Sequence, residues 1–185
     1  TFPSGMSNLQ CLANVPEAAL DDDIKALYTD NCGAVSVSHT TATTGDNCSG
    51  WTVTYEYTIK DACDNTVMPK PTIVYSGLDN TAPVIGAPAS NSIVECDGSG
   101  NTISLNAWLN SNGGAMAMDA CGSLTWGNNF TTLSDLCGAK GSATVTFTAT
   151  DACGNASNTI AVFTISDTTP PNLSSTNMGN PDPGD

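Results

Sequence analysis

Eight cysteines, one histidine and 18 carboxylates are the groups of this 185-residue chain that could do chemistry. The cysteines are Cys11, Cys32, Cys48, Cys63, Cys96, Cys121, Cys137 and Cys153, and the closest two are 15 positions apart. Zinc ribbons and fingers need closely spaced ligand pairs such as C-x-x-C, so a structural metal held on thiolates is not expected. An even number of well-spread cysteines in an acidic chain without arginine predicts four disulfides formed outside the cytosol. The single imidazole, His39, stands beside a Ser/Thr-rich tract with no G-x-S-x-G or related motif to support a Ser/His/Asp triad, and is expected at a surface or strand edge.

The carboxylates offer two further chemistries. A pair of them cleaves glycosides when held across a sugar, and Asp21-Asp22-Asp23 or Glu95 with Asp97 are the visible candidates. Consecutive aspartates at the start of a helix are explained more simply by the helix dipole, so no catalytic residue is expected. Hard cations want several carboxylate and carbonyl oxygens. Calcium is therefore the one cofactor suggested, with Asp79, Glu95, Asp97 and Asp151 as ligands drawn from a hinge and two loop-like segments at a domain end. The net charge of −14 argues against nucleic acid and anionic membranes as partners. A nucleic-acid footprint needs clustered Lys and Arg, and an anionic membrane repels such a surface. No apolar run approaches the roughly 18 residues of a membrane span.

The elements that must position these groups come twice. Laying the cysteines of the two halves over each other gives offsets of 85, 89, 89 and 90, so the chain is a tandem repeat. Leu9-Gln10-Cys11 matches Val94-Glu95-Cys96, and Asp30-Asn31-Cys32-Gly33 matches Asp119-Ala120-Cys121-Gly122. The hinge Asp79-Asn80-Thr81-Ala82-Pro83 recurs as Asp167-Thr168-Thr169-Pro170-Pro171. The expected organisation is a first domain at 1–78, a second at 79–167 and a tail at 168–185. Apolar or aromatic residues alternate with threonine over 51–59 and 144–150, the period-2 mark of a strand with one face on a core. Each run ends at a turn, Asp-Ala-Cys-(Asp/Gly)-Asn. Further strands are predicted at 72–75 and 159–165, and shorter ones at 34–38, 93–96 and 124–126. Between the first two cysteines of each unit the period changes. Leu20, Ile24 and Leu27 in one, and Leu105, Trp108 and Leu109 in the other, form the apolar stripe of a short helical insertion, with Ser104 as an N-cap. Trp51, Trp108 and Trp126 all fall within these patterns and are expected in the core. The fold class that follows is all-β: two tandem immunoglobulin-like antiparallel β-sandwich domains, each with a short helical insertion and two disulfides.

Asp-x-Thr-(Ala/Pro)-Pro, Val-Glu-Cys-Asp-Gly, Asp-Ala-Cys-Gly and Val-Thr-Phe-Thr-Ala-Thr-Asp-Ala-Cys-Gly-Asn are phrases of this chain. In them it resembles the hyalin-type (HYR-like) repeats of the four-cysteine kind, strung in arrays on large secreted surface proteins of Bacteroidota. The resemblance spans nearly the whole chain; it is closest in the second unit, whereas the first has Asp64 in place of the usual Gly and no Asp-x-Thr-x-Pro opening. It implies an immunoglobulin-like fold, export, and a surface role with neighbouring repeats, identical subunits or surface glycans as partners.

The expected function is a non-enzymatic extracellular segment, a stalk or adhesive array on a bacterial surface, with a calcium- or glycan-binding module as one alternative. Four cysteines per unit allow three pairings. In a sandwich the two Asp-x-Cys turns fall at one end, which favours Cys32–Cys63 and Cys121–Cys153 and leaves Cys11–Cys48 and Cys96–Cys137 by elimination. The other alternative is a filament. The first unit has no opening strand, while Thr168, Thr169, Pro170, Pro171, Asn172 and Leu173 begin one, so the tail of one molecule is expected to add as an edge strand to the first unit of the next.

Overall fold

Alternation along the strands sets the architecture. In the computed structural model, which describes residues 1–134 and 140–172, strand β2 (Gly50–Lys60) turns Trp51, Val53, Tyr55, Tyr57 and Ile59 to one buried face and leaves the residues between them half-buried. Strand β8 (Gly141–Thr150) does the same with Ala143, Val145, Phe147 and Ala149.

Around β2, strand β1 (Ser36–Asp46) pairs antiparallel along its whole length, and β3 (Thr72–Gly77) flanks the other side. A parallel bridge from Leu9 to Gly77 adds the N-terminal segment beyond β3. The second half repeats this plan. β7 (Thr125–Asn128) and β9 (Ala156–Ser166) flank β8 antiparallel, and β5 (Ser92–Glu95) runs parallel to β9. The parallel pairing departs from the all-antiparallel expectation. It arises because the segment leading into the first cysteine of each unit and the last strand of that unit run toward the same end. A separate ribbon pairs β4 (Val84–Ala87) with β6 (Met116–Met118).

Each half has its own core. Ile24 of helix α1 (Asp21–Lys25) packs on Trp51, Val53, Tyr55, Tyr57, Ile59 and Ile73. Leu105 and Trp108 of helix α2 (Thr102–Asn110) pack on Val145, Phe147, Ala161, Phe163 and Ile165. Tyr55 and Tyr57 donate their hydroxyls to the carbonyls of Pro16 and Ala19, at 2.9 and 3.0 Å, which satisfies two buried phenols and ties the segment before α1 across the sheet. Two details of the helical insertions differ from expectation. Of the first stripe only Ile24 is buried, with Leu20 and Leu27 exposed, because α1 is little more than one turn and presents a single residue inward. Ser104 lies inside α2 rather than capping it. The Asp97 carboxylate takes the N–H groups of Ser99 and Asn101, and this turn starts the helix at Thr102.

Gly77 sits where no larger residue fits, since a Cβ there would meet the Leu9 carbonyl and the Trp51 ring. Gly77→Ala is expected to lower stability by about 1–3 kcal/mol, as overpacking does. A chemical denaturation midpoint equal to that of the parent would contradict this contact.

The disulfides correct the expected pairing. Cys11 is bonded to Cys121 and Cys48 to Cys153, with Cα atoms 5.1 and 4.8 Å apart. Cys11–Cys48 and Cys121–Cys153 are therefore not formed, and Cys32 and Cys63 are both free and exposed rather than joined. Cys96 is described; Cys137 lies outside the described residues, as does Leu173 of the tail. The expectation that second and fourth cysteines share an end of their unit agrees with where the strands place them. In the second half, however, the partners of Cys121 and Cys153 belong to the first half, because Cys11 and Cys48 face them across the junction.

Candidate functional site at the junction

Six of the eight cysteines follow an aspartate by two positions: Asp30, Asp46, Asp61, Asp119, Asp135 and Asp151. In the five described cases the carboxylate accepts the cysteine N–H at 2.7 to 2.9 Å, a turn that fixes the cysteine backbone at a loop tip. Two such loops of the second half, at Cys121 and Cys153, meet the end of the first half at Cys11 and Cys48.

Hydrogen bonds close the seam between the disulfides. Asn47 accepts the Leu12 N–H on its side chain at 2.7 Å and the Asp79 N–H on its carbonyl at 2.7 Å. The Asp79 carbonyl in turn accepts from the Asn155 side chain at 3.2 Å. Asp79 is thus held on both sides, and the proline-containing linker is not a free hinge. A cavity of about 220 Å³ opens between the two disulfides, and Asp46, Asp79, Asp119 and Asp151 line it. One oxygen each of Asp79 and Asp119 lies within 4.8 Å of the other and of the Cys121 sulfur. That sulfur is in a disulfide and is not a thiolate ligand, so the carboxylates are the only hard donors of this trio.

Two of the acids at the seam, Asp46 and Asp151, are stabilised as anions by hydrogen-bond donors. N–H and hydroxyl bonds from Ser49, with the Cys48 N–H, hold the Asp46 carboxyl below its usual range. Burial by itself would raise the Asp151 carboxyl, but bonds from the Asn155 side chain and backbone, and from the backbones of Cys153 and Gly154, outweigh it and hold it low.

Of the four expected calcium ligands, the structure brings Asp79 and Asp151 together and leaves Glu95 and Asp97 at the far end of β9, roughly 33 Å away along an eleven-residue strand. There Glu95 accepts the N–H and hydroxyl groups of both Thr168 and Thr169, at 2.8 to 3.1 Å. Gln10 does the corresponding work in the first half, taking the Thr81 hydroxyl at 2.8 Å and the Asn80 N–H at 3.4 Å. The Glu95 carboxyl is held at about 2, against an ordinary 4.5, chiefly by the Thr168 hydroxyl and N–H. A carboxyl whose folded value is depressed grips fully above its unfolded value and lets go as pH falls through the folded one. The Thr168 and Thr169 amide resonances should therefore titrate with a midpoint near 2, and Glu95→Gln should remove that titration. A midpoint near 4.5 would show that the contact does not form.

His39 is exposed on β1, its Nδ1 donating to Asp21 at 2.7 Å and its ring against Tyr57. Trp51 and Trp108 are buried and Trp126 is half-buried. Sequence reasoning missed Asn47 and Asn155 as junction residues. The signal was present for Asn155, since its Asp-Ala-Cys-x-Asn loop occurs in both halves and Asn65 makes the same bonds to Asp61 that Asn155 makes to Asp151. No model of a known protein family matches the chain, and no curated protein matches it significantly.

Proposed function

We propose that the chain is a non-enzymatic extracellular structural segment, two immunoglobulin-like repeats of a bacterial surface stalk or adhesin, in keeping with its resemblance to HYR-like repeats. The observation that carries this reading is the double disulfide across the junction. Cross-links that fasten one repeat to the next stiffen a rod and do nothing for turnover, and they belong to an oxidising compartment. Among the described residues no helix is long and apolar enough to cross a membrane. The test is small-angle scattering of the oxidised and reduced chain. A rod of constant length when oxidised that becomes a flexible pair when reduced supports the reading; equal flexibility in both states counts against it.

A second reading, a filament subunit, is favoured by the repeated handling of the segment that leaves each half. Gln10 and Glu95 hold equivalent residues after the last strand, and in the first instance that segment goes on to form β4 and pair with β6. The tail at 168–173 would pair in the same way with the first half of another copy, at 27–29, the register equivalent of β6. Deleting 168–185 should leave a folded monomer that no longer polymerises, and polymers that persist after the deletion rule strand donation out.

Calcium is proposed only for the junction cavity, through Asp79 and Asp119 with Asp46 and Asp151 nearby. A melting midpoint that rises with calcium and falls back with chelator supports this; an unchanged midpoint leaves the four acids as turn formers.

A further inference from the structure

The exposed loops of the first half are the same objects as the loops that dock at the junction. Asp61 takes the N–H groups of Cys63 and Asn65 at 2.8 and 2.9 Å and the Asn65 side chain at 2.6 Å. Asp151 takes those of Cys153 and Asn155 at 2.8 and 2.9 Å and the Asn155 side chain at 2.9 Å. Asp30 holds Cys32 at 2.7 Å as Asp119 holds Cys121 at 2.7 Å. The pairs differ in what covers them. Asp151 is buried and Cys121, Cys153 and Asn155 are half-buried against the first half, whereas Asp61 is half-buried and Cys32, Cys63 and Asn65 are exposed. The two loops of the first half lie side by side, since a Cβ on Gly33 would stand 3.5 Å from that of Ala62, yet Cys32 and Cys63 are not bonded to each other.

The complementary surface is also present. At the junction the first half offers Cys11, with Gln10 and the segment from Asp79 beside it. The second half carries the same set at its far end: Cys96, whose N–H bonds Ser166, with Glu95 gripping the segment from Asp167. We propose that this end of one copy receives the Cys32 and Cys63 loops of a second copy, with a disulfide from Cys96 to Cys32 of the second copy, so that the internal junction is repeated between chains. This rests on the filament reading above and makes its link covalent. Cys63 is the register counterpart of Cys153; its own counterpart for bonding, Cys137, lies outside the described residues, so the test is made on Cys32.

The chemistry balances in either of two ways. Two thiols become a disulfide by losing two protons and two electrons, which a small disulfide oxidant such as oxidised glutathione accepts, leaving as two thiols. Where the receiving sulfur is already in a disulfide, the Cys32 thiolate displaces the earlier partner as a thiolate, one S–S bond forming as another breaks, with no oxidant consumed. The contact is head-to-tail and does not close, so it propagates. The −14 charge opposes it, and added salt should raise the yield.

The experiment uses the full chain, concentrated at high salt with oxidised glutathione, and reads it three ways: light scattering, non-reducing electrophoresis and peptide mapping. The expected result is a ladder of covalent multimers, a Cys32–Cys96 peptide in the dimer band, and loss of that ladder in Cys32→Ser with Cys11–Cys121 and Cys48–Cys153 retained. Multimers linked Cys32–Cys32 and stopping at two, or a Cys32–Cys63 bond within the monomer, overturn the proposal. Polymers seen by scattering that fall apart without reductant in detergent overturn the covalent link and leave the filament reading standing. A chain that stays monomeric throughout overturns both.

Discussion

Replacing Cys121 and Cys153 together with serine is expected to split one cooperative unfolding transition into two and to lower the first midpoint by about 10–20 °C. The disulfides close loops of 110 and 105 residues. In the chain-entropy argument such a loop contributes about 4–5 kcal/mol, less for the second because the first has already shortened it. For a chain of this size each kcal/mol moves the midpoint by about 2–4 °C. The splitting follows from where the buried residues come from. One core draws on residues of the first half alone and the other on the second half alone, so without the cross-links the halves are coupled, among the described residues, by the hydrogen bonds of Gln10, Asn47, Asp79 and Asn155. Calorimetry decides the matter. A single transition at the parental midpoint would mean that packing, not the disulfides, joins the halves.

Phe147→Ala should produce the largest effect of any core substitution in the second half. Phe147 is fully buried with its ring edge-on to Trp108 at 5.1 Å, and a Cβ on Gly113 would already stand 3.1 Å from it. The neighbours are a helix and a paired strand, which cannot collapse into the space left. The loss is then near the usual 3–5 kcal/mol for such a truncation, which amounts to a fall in hydrogen-exchange protection of roughly 100- to 1000-fold or more. The fall should be confined to β8, β9 and α2, with β2 around Tyr57 unchanged. A uniform fall across both halves would contradict two cores, and no fall would contradict the packing.

The reach of the sequence can be judged element by element. β2 and β8 were legible because one face is buried and the other is not, so Trp51 to Ile59 and Val145 to Ala149 carry a strict two-residue period. The far half of β1 was not, since 39–46 is exposed on both faces and shows no alternation. β6 is three residues with Met116 and Met118 exposed, too short and too solvated to leave a pattern. At the junction, repetition revealed which cysteines share an end of a unit. It did not reveal that the two ends abut, because that contact joins residues more than a hundred positions apart and nothing local records it. The same gap separated Asp79 and Asp151, which meet, from Glu95 and Asp97, which are engaged elsewhere.

The cross-links also decide what happens when the molecule is pulled. Between Thr1 and Asp185 the shortest covalent route crosses from Cys11 to Cys121 and skips the chain between them. With both halves torn open, the load would run through roughly 75 residues, about 250 Å of slack in place of about 630 Å for the uncrossed chain. A molecule cross-linked this way yields little length under tension, and a reductant would more than double its reach without any change in sequence.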